Sequence, residues 1–146
     1  MNTAQLERYM LNDVFIRQYY GGVLAADQLP LVVRKPTIYI VNTDPIALKG
    51  EHWLVLFMDN DLCEHFDSAG FPPRQDFEVY LTAKGPDYLY NIERVQHVDS
   101  NTCGLFCLFY AYFRCRGFSM LEIMSMFSEN LLINEVLVKT FYFETV

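Results

Sequence analysis

A thiol, an imidazole, a carboxylate and a side-chain amide, the groups needed for acyl transfer through a cysteine, lie in separate segments of this sequence. In QHVDSNTCGLFCLFYAYF, residues 96–113, polar loop residues run into an unbroken apolar stretch, and Cys103 sits at the junction. A helix opening there would hold Cys103 against the free N–H groups and positive dipole end of its N-terminus, which favours thiolate over thiol. Thr102 or Asn101 is placed to cap that helix, and Gly104 would let a substrate carbonyl approach the backbone closely. Gln96, before the apolar run, carries an amide that could donate to the oxyanion formed on thiolate attack, beside the backbone N–H of Cys103.

The thiol also needs a base, and His52, His65 and His97 compete for that role. His52 directly precedes Trp53 and opens an apolar strand, so its ring can be held at a sheet end. His65 falls inside the next strand and His97 in the polar loop. If MDND, residues 58–61, turns as a two-residue hairpin loop at Asp59 and Asn60, Met58 opposes Asp61 and His52 opposes Asp67. Directly opposed side chains are about 4.5–5.5 Å apart at Cβ, near enough for a carboxylate to bind one ring nitrogen and leave the other for the thiol. A three-residue loop would put the two on opposite faces. The expected set is the triad logic of nucleophile, base and orienting acid on residues distant in sequence.

Taken singly, each of these residues has an ordinary structural explanation. A cysteine at a helix start is commonly a small core residue, His52 could be a satisfied strand-end histidine, and Gln96 a solvated loop glutamine. Cys107 and Cys115 fall where core or neutral cysteines fall, and Cys63 where a strand packing residue does.

The elements that must position the four groups follow from periodicity. Leu6, Tyr9, Met10, Val14 and Ile16 recur at helical spacing over residues 3–20, one or two short helices that Gly21 and Gly22 stop. TIYIVN (37–42), HWLVLFM (52–58) and LCEHFD (62–67) are β-branched or aromatic runs bounded by turn residues, hence strands. PPRQDFEVYLTA (72–83) reads as a helix with prolines in its first turn, and YLYNIERV (88–95) as a strand. Leu105, Phe106, Leu108, Phe109, Tyr112 and Phe113 wrap the helix after Cys103, so it must be buried nearly all round. Ser119 and Glu122 form a capping-box pattern for a helix to about Phe127, and NLLINEVLVKTF supplies a last amphipathic one. The expected class is α+β, a central, mostly antiparallel sheet packed against helices with a buried helix that starts at Cys103.

The chain's 146 residues are one domain's worth, and no repeat or linker divides 1–146. Its longest apolar run, Cys103 to Phe113, is far short of the roughly 20 residues of a membrane span. The first residues lack a basic segment leading into an apolar run, so the expectation is an intracellular setting without a membrane partner. Eleven Lys and Arg against eighteen Asp and Glu, a net charge of −7, argue against nucleic acid as an obligate partner. With no CxxC pair and no histidines at ligand spacing, neither metal nor cofactor is assigned, and the four cysteines are expected as free thiols.

In combination the segments VNTDPIALKGEHWLVLFM, CEHFDSAGFPP and VQHVDSNTCGLFCLFYAYF resemble the catalytic segments of the adenovirus-type cysteine endopeptidases, the adenain-like family, whose clan includes the SUMO-deconjugating proteases. The resemblance covers about residues 37–113, and the seven-residue step from Gln96 to Cys103 matches the adenain-like branch. It implies a papain-like, adenain-like protease fold with His52 as general base, Asp67 as orienting acid, Gln96 as oxyanion donor and Cys103 as nucleophile. Trp53 would lie beside the oxyanion site. The acid is Asp where the adenovirus enzymes have Glu, the hairpin from histidine to acid is shorter, and the chain ends earlier. These departures suit a minimal viral or virus-like-transposon relative. The implied function is thiol-protease hydrolysis of virion or capsid precursor proteins at Gly-containing, small-residue sites, with virion maturation in the host nucleus or cytoplasm or in the virion. An activating peptide is a further implied partner. Removal of ubiquitin-like modifiers, and a silent relative that acts as a scaffold, stand as alternatives.

Overall fold

The computed structural model describes residues 1–146. Its helices are α1 (Thr3–Asn12), α2 (Gln75–Lys84), α3 (Cys103–Arg114), α4 (Met120–Met124) and α5 (Leu131–Thr145). The strands are β1 (Tyr20–Leu24), β2 (Thr37–Asn42), β3 (Trp53–Met58), β4 (Cys63–Phe66) and β5 (Tyr88–Tyr90), in one sheet of order β1-β2-β3-β4-β5. The α+β class is as expected. The sheet is mixed rather than mostly antiparallel: β2, β3 and β4 pair antiparallel, and the edge strands β1 and β5 join parallel to their neighbours.

The sheet separates two cores through the two-residue period of a strand. Ile38 and Ile40 of β2 and Val55 and Phe57 of β3 face α3 and α1, where they meet Phe106, Tyr110, Leu6 and Met10. The alternate residues Tyr39, Val41, Leu54 and Leu56 face Phe77 and Leu81 of α2. All six positions of β2 are therefore buried, which is why that strand reads as a continuous apolar run.

α3 is the hub, with Cys103, Gly104 and the run Phe106 to Ala111 all buried. Beyond apolar packing, a buried polar tie fixes it to β4. The Arg114 guanidinium donates Nη2 to Glu64 Oε2 at 2.9 Å and Nε to Oε1 at 3.0 Å, and the Tyr110 hydroxyl donates to the same carboxylate. Phe66 of β4 stacks on Tyr110 with ring centroids 4.4 Å apart. Consequently the helix that begins at Cys103 is locked to the strand that ends just before Asp67.

Three local expectations differ. Residues 20–24 are a strand, not the end of a helical pattern. Gly21 permits it, because a Cβ there would come within 2.4 Å of the Tyr39 ring and 2.5 Å of Thr37 Oγ1. α2 starts after both prolines, with extended Arg74 at its N-cap, since a residue that precedes proline is biased away from helical angles. Only Tyr88–Tyr90 of the expected 88–95 strand pairs, and Asn91 turns its side chain to another use described below.

Candidate active site

The β3–β4 register sets the histidine against the acid by a route other than the expected one. Met58 opposes Cys63, so the turn comprises Asp59, Asn60, Asp61 and Leu62, closed by Asp59 N–H to the Leu62 carbonyl at 3.2 Å. Continued past Val55 and Phe66, this register places Leu54, not His52, across from Asp67. The slip is by two residues, which preserves the face. His52 therefore meets Asp67 diagonally, and its Nε2 lies 2.6 Å from Asp67 Oδ1. The His52 backbone is held from the other side, where its carbonyl accepts from Thr43 N–H at 2.8 Å.

Asp67 is itself fixed. Its backbone N–H donates to Asn91 Oδ1 at 2.9 Å, and its carbonyl accepts from Asn91 Nδ2 at 2.7 Å, so that side chain replaces a strand neighbour. Oδ1 also accepts from Ala69 N–H at 2.8 Å. The chain then reverses at Gly70, whose φ of +78° and 2.6 Å approach of an added Cβ to Arg94 N leave no room for a side chain.

With Nε2 committed to Asp67, the ring nitrogen left for chemistry is Nδ1, and Cys103 lines the same pocket as the ring and interacts with it. Cys103 is buried, 8 % exposed, and lines the pocket where α3 begins. Burial alone would raise its pKa. The His52 imidazole and the backbone N–H groups of Trp53 and Gly104 outweigh burial and hold it below the ordinary thiol value. Burial pulls the His52 imidazole down, but Asp67 and the thiolate more than reverse this, to about 10. Thiolate and imidazolium thus support each other.

Gln96 is buried, 4 % exposed, with both ends of its amide assigned. Oε1 accepts from the Ser68 hydroxyl at 2.6 Å, and Nε2 donates to the Ser100 carbonyl at 3.0 Å. An amide nitrogen has two hydrogens, so one remains for a ligand. Gln96, His52, Trp53 and Cys103 line one cleft pocket of about 670 Å³, which continues past His52 and Gln96 into a second of about 690 Å³ walled by Phe71, Pro72, Arg74 and Arg94.

His52, Asp67, Gln96 and Cys103 are thus brought together. Trp53 lines the same pocket, but its indole N–H donates to the Met1 carbonyl at 3.0 Å and is not free for an oxyanion. An added Cβ at Gly104 would meet Met1 Cβ at 3.1 Å and Leu6 Cδ2 at 3.4 Å, so its bareness serves close packing against the N-terminal segment.

The rival residues take no part. Burial pushes His65 down to about 4, which keeps it neutral among apolar groups. His97 lies in the loop and accepts at Nδ1 from Asp99 N–H at 3.2 Å. All four cysteines are free thiols, and burial raises the pKa of Cys63 and Cys107 and takes Cys115 to about 12. Ser68 and Asn91 escaped sequence reasoning. The one available signal for Ser68 was its place directly after the acid.

No protein-family model matches the sequence. The proteases of human adenovirus D serotypes 17 and 9 are each 30% identical to it, over 65% and 64% of this chain and 50% and 49% of theirs. The chain spans about half the length of these relatives. Among solved structures, that of the ASFV pS273R protease superposes with a TM-score of 0.64 at 17% identity, over 85% of this chain and 60% of that one. A selenomethionine structure of the same protease gives 0.53 at 23% identity, over 83% and 50%. The chain is therefore similar in sequence to the adenovirus proteases over about two thirds of its own length, and it shares the fold of the ASFV pS273R protease.

Proposed function

We propose that residues 1–146 form the catalytic domain of a cysteine endopeptidase. The observation that carries this reading is the 2.6 Å contact of His52 Nε2 with Asp67, which leaves the opposite ring nitrogen for a neighbouring thiol held below its ordinary pKa. In this reaction the Cys103 thiolate attacks the scissile carbonyl. The oxyanion is held by the free Gln96 Nε2 hydrogen and the Cys103 backbone N–H. His52, already protonated, gives its proton to the leaving amine, and water then hydrolyses the acyl-enzyme with His52 as base. Asp67 keeps the ring orientation and stabilises its charge.

Substrates in this reading are viral or virus-like precursor proteins cut at Gly-containing, small-residue sites. The similarity to adenovirus proteases supports the viral precursor class. The test is hydrolysis of a panel of Gly-Gly-X peptides and of ubiquitin-like-modifier fusions by the native chain and Cys103→Ala. Cleavage of peptides by the native chain alone is the expected result. Preference for the fusions would redirect the reading to deconjugation, and no turnover with an inert thiol would end it.

A further inference from the structure

The loop that carries Gln96 to Cys103 is held from a distant helix. Glu135 of α5 is buried, 6 % exposed, and its Oε2 accepts from His97 N–H at 3.0 Å and from the Ser100 hydroxyl at 3.1 Å. Its Oε1 accepts from the Thr102 hydroxyl at 2.6 Å. The preceding residue, Asn134, is fully buried and donates Nδ2 to the Val95 carbonyl at 3.0 Å. Two adjacent residues of α5 therefore grip the chain on both sides of Gln96.

What these contacts do is chemical as well as structural. Thr102 stands at the N-cap of α3, where a threonine hydroxyl ordinarily accepts from the second or third N–H of the helix. Here that hydroxyl is turned to Glu135 and makes no cap bond. The N–H groups of Leu105 and Phe106 are taken by the Thr102 carbonyl. That of Gly104 is turned to the Cys103 thiol, and that of Cys103 is not among the groups the Thr102 carbonyl takes. Ser100, whose carbonyl receives Gln96 Nε2, is held by the same carboxylate.

We infer that Glu135 is a positioning residue for oxyanion binding: it holds the 97–102 loop so that the Gln96 amide and the first N–H groups of α3 converge on one point. The inference rests on the protease reading, and it assigns α5 a role in the chemistry that no residue near the thiol reveals.

The test compares native chain, Glu135→Gln, which replaces one of the two accepting oxygens by a donor, and Thr102→Val, which removes the hydroxyl bonded to Oε1, each with little change of shape. Two probes of Cys103 are used. Acetyl-Gly-glycinal forms a tetrahedral adduct that needs the oxyanion donors; iodoacetamide forms a thioether that does not. Both variants are expected to bind the aldehyde about tenfold more weakly or worse, and to lose kcat on a Gly-Gly-X peptide more than they raise KM. Alkylation of Cys103 should fall much less than aldehyde affinity, because the His52–Asp67 pair, the main support of the thiolate, is untouched even where the Gly104 N–H shifts. Unchanged aldehyde affinity, or aldehyde affinity and alkylation falling in parallel, would overturn the inference. Failure of the protease reading looks different: Cys103 of the native chain would alkylate no faster than the other cysteines.

Discussion

The Ser68 hydroxyl donates to Gln96 Oε1 at 2.6 Å, and this bond decides which end of the amide faces the cleft. Asp67 aims the imidazole and its chain neighbour Ser68 aims the amide, so one short turn orients both partners of Cys103. Ser68→Ala leaves a buried carbonyl oxygen unpaired, at a cost of about 1–3 kcal/mol, and lets the amide rotate. Peptide turnover should fall at least about tenfold, while the alkylation rate of Cys103 is unchanged. Loss of alkylation along with turnover would show that Ser68 merely supports the fold. Gln96→Ala should cost more, about 10²–10³ in kcat.

The pH profile follows from opposite shifts in the reacting pair. Cys103 is held below the ordinary thiol value, so thiolate persists to lower pH than in a free thiol and is lost as pH falls through that lowered pKa. His52 is raised to about 10, so the proton destined for the leaving amine is lost as pH rises through that value. Peptidase kcat/KM should therefore be broad, with its alkaline limb near about 10 instead of near the ordinary imidazole value of about 6.5. Asp67→Asn removes the main support of the imidazolium, and the alkaline limb should move down. An alkaline limb that stays in place in Asp67→Asn would contradict the assigned role.

The tie between Glu64 and Arg114 predicts a stability asymmetry. Glu64 is 4 % exposed in its side chain and Arg114 18 %. Removal of one partner strands a buried charge, so Arg114→Leu should cost about 3–5 kcal/mol in urea unfolding. Replacement of both, Glu64→Leu with Arg114→Leu, should restore much of that loss. A single variant within about 1 kcal/mol of native would mean the pair behaves as a surface salt bridge.

Gly70 offers a backbone test of the same turn. Its φ of +78° and the 2.6 Å approach of an added Cβ to Arg94 N make Gly70→Ala both strained and obstructed. It should destabilise the chain by about 1–3 kcal/mol and shift Asp67 and Ser68 together, which lowers both alkylation of Cys103 and turnover. Native-like alkylation in this variant would show that the turn does not set the position of the acid.

What the sequence made legible were features written locally. β2 runs over the residues its apolar continuity marks, β3 and β4 fall within one residue of their expected ends, and α3 opens at the polar-to-apolar junction on Cys103. The Ser119 and Glu122 capping box forms as its pattern implies. Features set by long-range contact were not legible. Gly21 looks like a helix stop until Tyr39 and Thr37 are seen against it. The parallel pairing of β1 and β5 depends on connections, not on composition. The β3–β4 turn keeps two more residues than the tightest loop, and only the parity of that difference preserved the pairing of His52 with Asp67. Glu135, at 32 positions beyond Cys103 in a helix that reads as simply amphipathic, carries no local mark of its bonds to Ser100 and Thr102.

The most direct measurement is site-resolved alkylation of all four cysteines at mildly acidic pH, read by mass spectrometry, for the native chain and His52→Ala. Cys63, Cys107 and Cys115 are buried with raised pKa values, so they should remain largely unmodified. Cys103 should react far faster, and should lose that advantage in His52→Ala. A native Cys103 no faster than the other three, or one indifferent to loss of His52, would contradict the assembled thiolate–imidazolium pair on which the account rests.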